Sequence, residues 1–139
     1  MRIVVDTNVL ISAAWRNRKP ERAVLWITRN HDSAWLVSRD ILEEYHAVLM
    51  RPKFALDADL LTVWRQLIAA STLDVGNVPA VTFARDPKDA RFIACALAGN
   101  ADLLLTADKD FQDPTLPARP RIIGVSTFCR EFVDGENGP

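Results

Sequence analysis

Apolar residues follow two patterns along the chain. Residues 3–5, 35–38, 73–75, 103–106 and 122–125 form short runs that are β-branched or leucine-rich and apolar nearly throughout. Residues 39–49, 58–71 and 89–99 instead return an apolar side chain every three or four positions, which is the period of a helix. A strand that is apolar at almost every position needs cover on both faces, as in a parallel sheet whose crossovers are helices. The alternation therefore predicts an α/β fold: a three-layer α/β/α sandwich around a central, mainly parallel sheet of about five strands. The domain is expected over residues 1–133. Residues 134–139, Asp-Gly-Glu-Asn-Gly-Pro, have nothing to bury and predict a disordered tail.

Composition narrows the function classes. A chain of 139 residues makes one domain, long enough to bury about two-thirds of the surface its unfolded form exposes. Lys plus Arg total 17 against 18 for Asp plus Glu, so global positive charge cannot be the source of any nucleic-acid affinity. A local basic patch remains open. Cys95 and Cys129 sit among apolar neighbours and form no C-x-x-C pair, which predicts neither a disulfide framework nor a thiolate metal site and points to a reducing cytoplasm. The first apolar run ends after three residues at Asp6, and no run approaches the ~18 residues of a membrane span, so a soluble cytoplasmic protein is expected.

Chemistry is concentrated in acids at strand ends and helix starts. Asp6 follows the first strand, in Asp6-Thr7-Asn8, where open α/β sheets bind ligands; capping of the next helix is the competing role. In the helix over 39–49, Ile41, Leu42, Tyr45, Val48 and Leu49 share one face, with Glu43 opposite and Glu44 along its edge. Only Glu44 can look toward the sheet. In Arg85-Asp86-Pro87-Lys88-Asp89, Asp86 fits an N-cap with Pro87 at the first helical position. Asp89 stands one turn before Ile93 on the side expected to be buried, where a carboxylate needs a cation. Asp108 follows the fourth strand, in Leu105-Thr106-Ala107-Asp108-Lys109-Asp110. If Asp6, Glu44, Asp89 and Asp108 converge, their mutual repulsion calls for a neutralising cation. An all-oxygen set selects a hard divalent ion, Mg²⁺ or Mn²⁺, and such ions activate water for hydrolysis of a phosphodiester.

Four motifs occur in order: Val5-Asp6-Thr7-Asn8-Val9-Leu10, Val37-Ser38-x-x-Ile41-Leu42-Glu43-Glu44, Asp86-Pro87-x-Asp89-x-x-Phe92-Ile93-Ala94-x-Ala96 and Leu105-Thr106-x-Asp108-x-Asp110-Phe111. Together, over residues 2–132, they resemble the PIN-domain nucleases, in particular the prokaryotic toxins of toxin-antitoxin systems similar to VapC. The resemblance implies an α/β/α sandwich, a Mg²⁺- or Mn²⁺-dependent endoribonuclease, an antitoxin partner and a homodimer. By position it implies that Asp6, Glu44, Asp89 and Asp108 form the acidic metal site, supported by Thr7 or Asn8, Thr106 and Asp110. Asp86 matches a further acid of this group. Ala107 stands where a glycine is frequent in the family, and Ala90 where another polar residue is frequent; neither replaces a ligand.

Other features are weaker pointers. Arg16, Arg18, Lys19 and Arg22 form the densest basic stretch, able to meet RNA phosphates or to be an ordinary solvated loop. Trp26 and Trp35 are expected to pack, and apolar residues over 58–71 could serve either the core or a dimer face. His31 and His46 have no ligand spacing. A haloacid-dehalogenase-type phosphatase would carry a second aspartate where Asn8 stands, and a response-regulator receiver would carry an acidic pair where Arg2 and Ile3 stand. A PIN-like module that binds RNA or protein without cutting is the remaining alternative.

Overall fold

Ile3, Val4 and Val5 are β-branched, a shape that restricts the side chain and favours extended backbone. All three are fully buried. Successive strand side chains point to opposite faces, so burial of three in a row requires layers on both sides of the sheet. The computed structural model describes residues 1–78, 90–107 and 118–136. Its strands are β1 (Arg2–Val5), β2 (Ala34–Val37), β3 (Thr72–Asp74), β4 (Leu103–Thr106) and β5 (Arg121–Gly124). They form one sheet in the order β3-β2-β1-β4-β5, with every pairing parallel. Val4 lies opposite Leu36 on one side and Leu104 on the other.

The helices are α1 (Thr7–Ala14), α2 (Arg18–Arg29), α3 (Arg39–Leu49), α4 (Ala58–Ser71), α5 (Ala90–Ala98) and α6 (Val125–Phe128). A π-helical turn over Cys129–Val133 leads into α7 (Asp134–Glu136), whose Asp134 pairs with Arg22 of α2. Among the described residues no helix is long and apolar enough to cross a membrane. α5 packs on β1 and β2 and against α3, while α1 and α6 both reach β4.

The expected α/β architecture is therefore present, with small shifts at the strand ends. β2 stops at Val37 because Ser38 turns its hydroxyl onto the start of α3, accepting the Ile41 N–H at 3.2 Å. β5 stops at Gly124, the N-cap of α6, so Val125 begins a helix. Ser38 is buried, and Ala in its place leaves the Ile41 N–H without that acceptor. Ser38→Ala is expected to lower unfolding free energy by about 1 kcal/mol, read from the urea midpoint at unchanged slope.

Trp35 is buried beside Tyr45, and Trp26 packs edge-on against Phe128 with ring centroids 5.5 Å apart. Both tryptophans thus pack as expected. α4 lays Trp64 and Ile68 into the core and leaves Val63 exposed.

Candidate active site

The sheet order reverses direction at β1, whose neighbours β2 and β4 continue to opposite edges. In open α/β sheets ligands bind at such a reversal, outside the carboxyl ends of the strands. Asp6 stands there, directly after β1. Its backbone N–H donates to the Leu105 carbonyl at 2.9 Å, extending the β1–β4 ladder by one bond. Its side chain turns onto α1, where Oδ1 accepts the Asn8 N–H at 3.2 Å. Asp6 is thus a helix cap that stands at the carboxyl end of a central strand.

Thr7, the first residue of α1, is buried and donates its hydroxyl to Glu44 Oε2. Glu44 is half-buried on α3, and its Oε1 lies 3.1 Å from the Arg91 Nη1 of α5. Helical geometry separates it from its neighbour: Glu43 points outward to a solvated pair with Arg39 at 3.4 Å. The next residue, Tyr45, fixes α3 against the end of β1. Its hydroxyl donates to the Val5 carbonyl and accepts the Trp35 indole N–H at 3.3 Å. Burial pushes the Tyr45 phenol well above its ordinary value, and the charges of Asp6 and Glu44 push the same way. The buried hydroxyl therefore stays protonated.

Thr106 closes β4 and is buried at the same end of the sheet. Asp86, Asp89, Asp108 and Asp110 lie outside the described residues. Of the four expected metal ligands, the structure describes Asp6 and Glu44. Among the described residues no group of three or more His, Cys, Asp or Glu side chains gathers as a metal cage. The donors it does place are carboxylate oxygens, with a guanidinium already drawn against one of them, which is the chemistry of a site for a hard cation.

Burial pushes the Cys95 thiol up to about 12, with Asp74 adding to the effect, and burial likewise raises Cys129. Both cysteines are free and protonated at neutral pH, so neither is poised as a nucleophile. At the other end of the strands, Asp102 accepts the Arg2 N–H at 2.8 Å, which holds its carboxyl below the usual range, and Arg119 adds to this. That acid is a structural clasp.

The basic stretch divides. Arg16, with φ of 61°, and Arg18, the first residue of α2, are exposed. Lys19 Nζ lies 3.4 Å from the Ser126 hydroxyl, and Arg22 pairs with Asp134, so these two face the C-terminal helices. Sequence reasoning did not single out Arg91. The available signal was an arginine two positions after Asp89, in the first turn of α5.

No curated protein matches the chain. Among solved structures it is similar to a chain of VapBC2 from Rickettsia felis bound to a DNA fragment from their promoter. That likeness has a TM-score of 0.59 at 12% identity and covers 89% of this chain and 98% of that one. It is also similar to PAE2754 from Pyrobaculum aerophilum, with a TM-score of 0.55 at 20% identity, over 96% of this chain and 90% of that one. At such identities the likeness speaks for the fold. The model of a PIN domain matches residues 2–110, from the first strand through the fourth and past both described acids, and the chain belongs to the PIN-domain family of nucleases.

Proposed function

We propose that this protein is a Mg²⁺- or Mn²⁺-dependent endoribonuclease and the toxin of a toxin-antitoxin pair. The observation that supports the reading is the Thr7 hydroxyl bond to Glu44, made by the residue next to Asp6 at the carboxyl end of β1, in a chain of a nuclease family. Asp6, Glu44, Asp89 and Asp108 would hold the cation, and Asn8, Asp86, Thr106 and Asp110 would support them. The bound cation would supply a water nucleophile at neutral pH and offset charge on the phosphodiester oxygens.

The chain's own residues do the rest. Thr7 fixes one oxygen of Glu44 through its hydroxyl. Tyr45 ties α3 to the backbone that carries Asp6. Arg16 and Arg18 are exposed and would meet flanking phosphates, offsetting the repulsion between an acidic site and a polyanion. The likeness to a chain of VapBC2 supports a cognate antitoxin as the protein partner.

The test is cleavage of a panel of structured and single-stranded RNAs in Mg²⁺, Mn²⁺ or EDTA. Cutting is expected in either metal and is expected to vanish in EDTA, returning when metal is restored. RNA retained on the folded protein without cutting in any condition would instead make the chain a binding module. Cutting that survives EDTA would remove the metal from the proposal.

A further inference from the structure

Both oxygens of Glu44 are engaged by the protein itself: Oε2 by the Thr7 hydroxyl and Oε1 by the Arg91 guanidinium at 3.1 Å. The two partners differ in kind. Thr7 is buried and neutral, and it belongs to the first turn of the helix that Asp6 caps, so its bond orients the carboxylate without competing for its charge. Arg91 is a full positive charge on a long side chain that is 42% exposed, reaching from α5 across to α3. A guanidinium so placed can leave toward solvent without the fold opening.

If Glu44 ligates a divalent cation, which rests on the function proposed above, that cation and Arg91 seek the same carboxylate. Two cations within a few ångströms of one another repel, and a single carboxylate does not offset three positive charges. We propose that Arg91 is the built-in counter-cation of Glu44, which the divalent ion must displace, so that Arg91 sets the metal affinity of the site. In this role Arg91 is a positioning residue acting through Glu44. It neutralises and orients Glu44 when metal is scarce, and its release is coupled to loading by simple linkage.

The experiment is Mn²⁺ binding to the whole chain, measured from the paramagnetic resonance signal of free Mn²⁺, with no RNA and no turnover. Arg91→Gln removes the competitor and is expected to tighten Mn²⁺ binding about three- to fivefold, the scale of a part-exposed ion pair. Arg91→Lys keeps the charge without the planar fork and is expected to fall between the two. Arg39→Gln removes an equal charge from the outer face of α3, where Arg39 pairs with Glu43, and is expected to leave the affinity unchanged. Unchanged or weaker binding in Arg91→Gln would overturn the proposal, as would an equal tightening in Arg39→Gln, which would make the effect one of bulk charge. In both cases the metal reading would stand. Absence of Mn²⁺ binding by wild type and all variants would overturn the metal reading and this inference together.

Discussion

Asp6→Asn is expected to lower metal-dependent RNA cleavage at least about a hundredfold, because a site built on carboxylate charge supplies several kcal/mol of transition-state stabilisation through its cation. The substitution separates the two roles that the sequence leaves entangled. Asparagine caps helices as well as aspartate does, so the acceptor for the Asn8 N–H survives and α1 keeps its start. The backbone bond from residue 6 to the Leu105 carbonyl does not involve the side chain at all. What disappears is one negative charge at the carboxyl end of β1. Stability is therefore expected to change by less than about 0.5 kcal/mol in urea, while cleavage rates in saturating Mn²⁺ collapse. Asp89→Asn is expected to behave alike. Full activity in Asp6→Asn would reduce Asp6 to a cap and remove it from the site.

That separation was only half legible in the sequence. Periodicity marks α3 and α4 residue for residue, because an amphipathic helix carries its buried face in its own spacing. Strand ends are less visible, since a hydroxyl or a glycine after an apolar run fits a strand or a cap until the neighbouring helix decides. Ser38 and Gly124 were decided that way. The positions of Asp6 and Glu44 follow from local rules: one ends a strand, and the other takes the inward side of a helix. Their partners do not follow. Thr7 meets Glu44, Arg91 meets Glu44 and Arg22 meets Asp134 only once distant elements are packed together, and no spacing within a single element encodes such pairs. The basic stretch 16–22 shows the same limit. Its density is visible in sequence, but the turn of α2 that sends Lys19 and Arg22 toward the C-terminal helices is not.

Tyr45 carries the other large expected effect, on stability. Its hydroxyl is the one group joining the Val5 carbonyl, the Trp35 indole N–H and α3, and Val5, Trp35 and Tyr45 are all almost completely buried. Tyr45→Phe keeps the ring and its packing against Trp35 but deletes the oxygen. Because no space for a replacing water opens in so closely packed a place, a carbonyl and an indole N–H lose their partner together. The expected loss is about 1–3 kcal/mol in unfolding free energy, from urea transitions followed by circular dichroism, at unchanged slope. The hydroxyl also links the residue before Asp6 to the residue after Glu44, so the same variant is expected to widen the separation of the two carboxylates and weaken Mn²⁺ binding in the folded protein. A loss under about 0.5 kcal/mol with Mn²⁺ affinity intact would mean that packing alone holds α3 to β1. Loss of stability with intact affinity would mean that Thr7, rather than Tyr45, sets the position of Glu44.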